Sequence, residues 1–184
     1  MIKDKSSPWP ERDGSISKAE RKAPNQRQRP SATMLSRSPS QTQKLGESLG
    51  EAAQPGDIYL LVGDLGAGKT CLAQGIARGL GIREHVSSPS FVLMKEHQGR
   101  LPMYHIDLYR LERQAEMLDL GLESYFSGSG LCVVEWAEKL GRLTPEEYLL
   151  ISISYQGDKE RLITLKTKGK RYRDKLSHLM PSDK

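Results

Sequence analysis

Long apolar segments and cysteines are scarce in this chain of 184 residues. No apolar run approaches the roughly 20 residues that a membrane-spanning helix needs, and the N-terminus has no apolar stretch typical of secretion signals. We therefore expect a soluble cytoplasmic protein that makes no contact with a membrane. The two cysteines, Cys71 and Cys132, lie in otherwise apolar stretches, which favours buried small hydrophobic residues over redox or metal-binding groups.

The middle of the chain lacks a net positive charge. Acidic side chains outnumber basic ones between residues 41 and 165, whereas both ends are strongly basic. An acidic domain is poorly suited to bind a nucleic-acid backbone, so any such contact is expected to be weak and to use the basic ends. We divide the chain into a disordered basic extension at 1–39, one domain at 40–165 and a loosely held basic tail at 166–184. Translation from Met34 would remove most of the extension, and the sequence leaves both starts open.

A phosphate-binding motif is the most informative feature present. It fits the pattern G-x-x-x-x-G-K-[ST] and consists of Gly63, Asp64, Leu65, Gly66, Ala67, Gly68, Lys69 and Thr70. The apolar run Ile58–Val62 precedes it and a segment with apolar residues at helical spacing follows, which predicts a strand, a glycine loop and a helix. In that arrangement backbone N–H groups bind phosphate oxygens, Lys69 reaches the β- and γ-phosphates, and Thr70 binds Mg²⁺. An ordinary glycine-rich turn is the alternative; we predict a nucleoside triphosphate site.

Two acidic residues follow predicted core strands. Glu135 comes directly after Leu131–Val134, the usual place of the second acidic motif in such hydrolases, and Asp107 follows residues 103–106. Ligands bind at the carboxyl ends of strands in these sheets, so both are candidates for holding Mg²⁺ or orienting a water. The alternatives are a solvent-facing carboxylate for Glu135 and a helix cap for Asp107.

Other polar and aromatic residues near these positions are less specific. The hydroxyls around Pro89 belong to a loop that could approach the γ-phosphate, although a plain polar loop explains them nearly as well; they are Ser87, Ser88 and Ser90. His105 fits a packed strand histidine better than a catalyst. Trp136 fits either a cover over the site or a core residue.

Guanine-reading motifs are absent. The single asparagine, Asn25, lies in the N-terminal extension, so an N-K-x-D motif is impossible within the domain, and no D-x-x-G motif follows the phosphate loop. These absences favour adenine as the base.

The order of elements predicts an α/β fold. Strands that alternate with helices after a glycine loop indicate a mostly parallel sheet flanked by helices, with antiparallel hairpins at its edges. We expect a helix capped by Ser40 or Thr42 before the first strand and a helical stretch near residues 111–120. The expected strands cover residues 58–62, 91–94, 101–107, 131–134, 148–153 and 161–165.

Four motifs together resemble the TsaE family, the bacterial ATPases of tRNA threonylcarbamoyladenosine biosynthesis. They are residues 63–70, Ser88–Phe91, His105–Arg110 and Val134–Lys139, in the order and spacing of the family, within about residues 40–165. The resemblance implies a P-loop NTPase fold and ATP hydrolysis with Mg²⁺. It also implies joint action with the partner proteins TsaB and TsaD, which form N6-threonylcarbamoyladenosine at position 37 of tRNAs reading codons that begin with A.

The resemblance further implies roles for single residues. Thr70 and Glu135 hold Mg²⁺, Asp107 acts near the γ-phosphate, and the residues around Ser88 form a switch loop. Residues 63–70 bind ATP, helped by Thr42, which resembles a nucleotide-contacting threonine, and by Arg161, which resembles an arginine of the last hairpin. Cys71 departs from the family where a second Thr or Ser is common, and the N-terminal extension is unusual.

Two other classes of function remain alternatives. A small-molecule kinase of this size usually carries an arginine-rich lid, and residues 111–147 contain only Arg113 and Arg142 among many acids. An ATP-independent scaffold would leave Lys69, Thr70 and Glu135 without a purpose. ATP turnover by the purified protein, alone and with its partners, separates the three classes.

Overall fold

The computed structural model describes residues 31–179. The predictions for residues 1–30 and 180–184 therefore lie outside the described residues. The elements in chain order are β1 (Ser31–Ser36), α1 (Pro39–Glu51), β2 (Ile58–Val62), α2 (Lys69–Gly79), β3 (Met94–Gln98), β4 (Pro102–Asp107), α3 (Gln114–Asp119), α4 (Leu122–Phe126), β5 (Leu131–Glu135), a 3-10 helix (Ala137–Leu143), β6 (Tyr148–Gln156), β7 (Glu160–Lys168) and α5 (Lys170–Leu179).

The strands form one sheet of seven in the order β1-β7-β6-β2-β5-β4-β3. The four central strands, β6, β2, β5 and β4, run parallel to one another. At one edge β7 and β1 pair antiparallel, and at the other β3 pairs antiparallel with β4. The predicted α/β fold with antiparallel edge hairpins is confirmed.

Both faces of the central strands are covered. On β2, Tyr59 and Leu61 join a cluster that includes Leu72 of α2, while Leu60 joins a second cluster that includes Leu140 of the 3-10 helix. Successive side chains of a strand point to opposite faces, so a strand covered on both sides reads as a continuous apolar run. This explains why Ile58–Val62 is uniformly apolar and why β2 anchors the loop that follows it.

The strand expected at residues 91–94 is wrong, because β3 begins only at Met94. The backbone N–H groups of Val92 and Leu93 both donate to the carbonyl of Pro89, which closes a turn instead of a strand ladder. Phe91 and Val92 are consequently exposed, at 84% and 67%. Their apolar side chains imitated a strand that the turn at Pro89 prevents.

The expectation of disorder fails for residues 31–39. Residues Ser31–Ser36 form β1, which pairs along its whole length with β7, and Met34 lies opposite Ile163. Helix α1 begins at Pro39 with Ser38 as its N-cap, not Ser40 or Thr42. The strand gains its hydrogen bonds from an edge that is distant in the sequence, so local composition carries no sign of it. A start at Met34 would remove half of this strand.

The basic tail expected from residue 166 onwards is largely structured. Strand β7 extends to Lys168 and α5 follows it. The hydroxyl of Tyr172 accepts a hydrogen bond from the N–H of Ile58 at 2.7 Å, which ties α5 to the start of β2. Between residues 31 and 179, no helix is long and apolar enough to cross a membrane.

Candidate nucleotide site at the carboxyl ends of the parallel strands

The glycine loop joins β2 to α2 in a conformation that requires glycine. Gly63 has φ 145°, and a Cβ atom there would lie 2.2 Å from the carbonyl oxygen of Ile153 on β6. Gly68, the residue before α2, has φ 112° and open space around it. Larger residues would strain or fill these positions. The loop thus keeps a concave backbone surface at the N-terminus of α2, which suits phosphate oxygens.

Lys69 is buried at the base of this loop. Its Nζ donates to the carbonyl oxygens of Gly63 at 2.6 Å and Asp64 at 2.9 Å, and it lies 3.7 Å from the ring centroid of Trp136. Burial lowers the pKa of Lys69, and the carboxylate of Glu135 is the largest effect opposing that shift. A cation therefore stands where β- and γ-phosphates are bound in proteins with this loop.

Thr70 and Glu135 meet beside the lysine. The Thr70 hydroxyl donates to Oε2 of Glu135 at 2.9 Å, and Nε2 of His105 lies 2.8 Å from Oε1 of the same carboxylate. Glu135 ends β5 and is only 2% exposed. The alternative that it faces solvent as an ordinary strand-end carboxylate is excluded.

This hydroxyl and carboxylate fit Mg²⁺. The ion is commonly bound through one or two carboxylates together with substrate phosphates and waters, not by a cage of protein ligands. Within residues 31–179, no group of three or more His, Cys, Asp or Glu side chains is arranged to hold a metal. A metal at Thr70 and Glu135 would accordingly depend on the phosphates of a nucleotide.

Asp107 lies next to Glu135, since the two residues are paired in the register of β4 and β5. Its Oδ2 accepts hydrogen bonds from the hydroxyls of Ser88 and Ser90, the second at 2.8 Å. Its Oδ1 accepts from the N–H of Tyr109 at 2.9 Å. The helix-cap alternative is wrong, because residues 108–110 form a turn and the next helix begins at Gln114. Asp107 supports this turn and also ties the loop around Ser88 and Ser90, the serine loop, to the site.

These elements surround a cleft of about 380 Å³. The predicted site residues that line it are Leu65, Gly66, Gly68, Lys69, Thr70, Ser88, Asp107 and Glu135. Gly63, Asp64 and Ala67 belong to the same loop but do not line the cleft. The strand ends and the loop thus bring the acids, the cation and the hydroxyls to one place.

Thr42 and Arg161 do not line this cleft. Thr42 is 3% exposed, and its hydroxyl lies 2.8 Å from that of Ser36. The Nε of Arg161 donates to the carbonyl oxygen of Ala67 at 3.1 Å, so the arginine supports the backbone of the phosphate loop. The geometry gives Arg161 a supporting position.

The cleft also contains residues that sequence reasoning missed or left open. Trp136 has φ 57°, an uncommon value for a non-glycine residue, and its ring is 4.9 Å from that of Tyr109. Strain of this kind clusters at functional sites. Phe91, Tyr109 and Arg110 also line the cleft. These three residues belong to the motifs Ser88–Phe91 and His105–Arg110, and this membership was the signal in the sequence that could have identified them as site residues.

The two cysteines differ. Cys132 is fully buried, as expected, and burial raises its pKa to about 12. Cys71 is only partly buried and lines the cleft, so the expectation that it is a buried core residue is wrong. It lies in the first turn of α2, and its Sγ is 3.5 Å from the carbonyl oxygen of Pro39 at the start of α1.

Comparisons with known proteins agree with this geometry. The family described as "Threonylcarbamoyl adenosine biosynthesis protein TsaE" matches residues 36–163. A relative from Bacillus subtilis, named tRNA threonylcarbamoyladenosine biosynthesis protein TsaE, is 47% identical over 135 residues, which cover 73% of this chain and 84% of the relative. A relative of the same name from Treponema pallidum is 40% identical, over 71% of this chain and 97% of its own. The crystal structure of Bacillus subtilis YdiB is 39% identical and superposes with a TM-score of 0.73, over 82% of this chain and 95% of that one.

Proposed function

The chain belongs to the TsaE family, and from this membership we propose that it is a Mg²⁺-dependent ATPase. The hydrolysis serves the formation of N6-threonylcarbamoyladenosine at position 37 of tRNAs reading codons that begin with A. The names of its relatives support a role in this modification. The roles of single residues in ATP hydrolysis are proposed from the geometry of the site.

The observation that carries the proposal is the hydrogen bond from Thr70 to Glu135 beside buried Lys69. Phosphoryl transfer depends on positioning and on stabilising charge on the phosphate oxygens. The loop and Lys69 bind the β- and γ-phosphates, while Thr70 and Glu135 hold the metal. Mg²⁺ bound there supplies positive charge to the phosphate oxygens.

Asp107 and the serine loop contribute to the hydrolysis step of ATP turnover. Asp107 lies beside Glu135 at the strand ends, where a carboxylate can orient a water near the γ-phosphate. Its bonds with Ser88 and Ser90 connect this carboxylate to a loop at the rim of the cleft. A loop bonded to an acidic residue at the phosphates can change position when the γ-phosphate is lost, which suits a switch.

The rim of the cleft is the surface that we propose for contact with partner proteins. Leu65, Phe91 and Val92 are large apolar residues at 67%, 84% and 67% exposure, and the first two line the cleft. Exposed apolar residues grouped at one place mark interaction sites. We assign this rim to contact with the TsaB and TsaD proteins. We assign a weak contact with tRNA to the basic ends of the chain.

ATP turnover by the purified protein, alone and with the two partner proteins, tests the proposal. We expect Mg²⁺-dependent release of phosphate that rises when the partners are present. Phosphate transfer to a small molecule instead of water would support a kinase. Modification of tRNA that proceeds at the normal rate without ATP turnover would support a scaffold and contradict the proposal.

A further inference from the structure

His105 is a buried titratable residue that the site described above does not use directly. It lies on β4 with 0% exposure, between apolar core positions, and its Nε2 is 2.8 Å from Oε1 of Glu135. An ionised carboxylate only accepts hydrogen bonds, so the imidazole must donate from Nε2. The contact joins two buried side chains at the metal side of the cleft.

The two oxygens of Glu135 are thereby assigned to different donors. Oε1 receives the bond from His105, and Oε2 receives the bond from Thr70 at 2.9 Å. A carboxylate held at both oxygens cannot rotate about its last bond. Without the imidazole, Oε1 would be left unpaired in the core, and the carboxylate would be free to turn away from Thr70.

The cost of placing a histidine here supports this role. The other ring nitrogen, Nδ1, is buried and has no hydrogen-bond partner among the described residues. An apolar side chain in a covered strand would avoid that unpaired nitrogen. The bond to Glu135 is the contact that offsets the burial of the ring.

We propose that His105 is the positioning residue of Glu135 and sets the carboxylate in the orientation that binds Mg²⁺. This inference rests on the proposed ATPase function. Carboxylates that bind metals are commonly oriented by such outer hydrogen bonds, and their loss costs about 10- to 100-fold in metal affinity. His105 acts through Glu135 and contacts neither nucleotide nor metal itself.

His97 provides a matched control. It is also 0% exposed, lies on neighbouring β3, and its ring centroid is 6.2 Å from that of His105. Its Nδ1, however, is bonded to Glu84 at 2.5 Å, so its hydrogen bond goes to a different acid. Changing His97 therefore disturbs the same part of the core and leaves the Glu135 carboxylate held.

The test compares His105→Gln with His105→Asn. The side-chain amide nitrogen of Gln reaches the place of Nε2, whereas that of Asn reaches only the place of Nδ1. Each variant is loaded with a non-hydrolysable ATP analogue, and Mg²⁺ is titrated while the thermal midpoint is followed. We expect His105→Asn to need about 10- to 100-fold more Mg²⁺ for the half-maximal shift. We expect His105→Gln and His97→Leu to need the wild-type concentration, and analogue affinity in EDTA to stay unchanged throughout.

A double variant shows whether the effect passes through Glu135. Adding His105→Asn to Glu135→Ala should cost no further Mg²⁺ affinity, because the residue it positions is already gone. If His105→Asn fails to fold, His105→Leu replaces it in both comparisons. A wild-type Mg²⁺ requirement in the Asn or Leu variant, or an additive loss in the double variant, overturns the proposal. Failure of the wild type itself to bind analogue with Mg²⁺ would instead remove the proposed function and this inference with it.

Discussion

The two ends of the central strands each bury a carboxylate, and the partners of the two carboxylates differ. At the amino end, Asp57 precedes β2, where Nε of Arg171 lies 2.9 Å from its Oδ1 and Lys175 bonds its Oδ2. At the carboxyl end, the bonds to Glu135 come from the hydroxyl of Thr70 and the ring of His105. Two basic side chains of α5 contact the first carboxylate. The second is hydrogen-bonded by a hydroxyl and an imidazole ring beside the cleft that Lys69 lines.

The difference separates a structural ion cluster from a binding site. A buried charge that is paired within the protein holds elements together, here α5 against β2. A buried carboxylate that borders a cleft can still bind an added cation. Burial lowers the pKa of Lys175, and the hydrogen bond and charge of Asp57 oppose that shift. Each member of the ion pair thus favours the charged form of the other.

The largest effect is expected at the amino end. Asp57→Ala leaves Arg171 and Lys175 without their partner, and Lys175 is mostly buried, so the free energy of unfolding should fall by about 3–5 kcal/mol. Urea unfolding measures this, with the exposed hairpin residue Asp158→Ala as a control that should change little. Loss of ATP turnover in Asp57→Ala at unchanged stability would give the amino end a functional role.

The second prediction concerns variants at the carboxyl end that should impair hydrolysis and leave the fold intact. Glu135→Ala and Asp107→Ala should each lower the rate of ATP hydrolysis by about 10²–10⁴-fold, because they act on metal or water. Nucleotide should remain bound, since the phosphate loop is intact, and a fluorescent ATP analogue reports this. The exposed acid Glu116→Ala is the control. Hydrolysis at the wild-type rate with partners present would disprove the assigned role of the residue concerned.

The third expectation concerns the buried cation of the cleft. Lys69→Ala should weaken ATP binding by about 100-fold or more, because a charge-assisted contact to the phosphates is lost. Titration with the fluorescent analogue measures the affinity, and the exposed strand residue Lys95→Ala should bind normally. Equal affinity in Lys69→Ala and wild type would mean that the glycine loop is only a structural turn.

The smallest effect should distinguish the two purine nucleotides. ATP at a saturating concentration should raise the thermal midpoint more than GTP at the same concentration, by the linkage between affinity and stability. A difference of a few degrees is expected for a domain of this size. Equal shifts would contradict the preference for adenine, which rests on absent guanine-reading motifs.

The parts of the site that local pattern determines were predictable. A glycine loop between an apolar strand and a helix has few conformations that suit phosphate, so residues 63–70 indicated both element order and chemistry. Glu135 and Asp107 were found because they end apolar runs, and the register of β4 and β5 places them side by side. Their roles in turnover stay predictions.

The parts of the fold and site that depend on strand pairing and long-range contacts were not predictable from the sequence. The exposed turn at Phe91 looked like a strand, because an apolar run does not reveal that Pro89 accepts two backbone bonds. Residues 31–36 looked disordered, because the hydrogen bonds of β1 come from β7, more than a hundred residues away. The contact of Arg161 with the loop at Ala67 has no local signature either.

The sequence by itself determined the family, the α/β fold and the phosphate loop of this protein, because each depends on short local patterns and on the order in which they follow one another along the chain. Only the tertiary structure decided which polar side chains share a carboxylate. His105 reads as an ordinary strand histidine until β4 and β5 pair in register, which brings its ring to Glu135. Hydrogen bonds between distant side chains require the donor and acceptor to be placed to within a fraction of an ångström, and this placement exists only once the strands have packed.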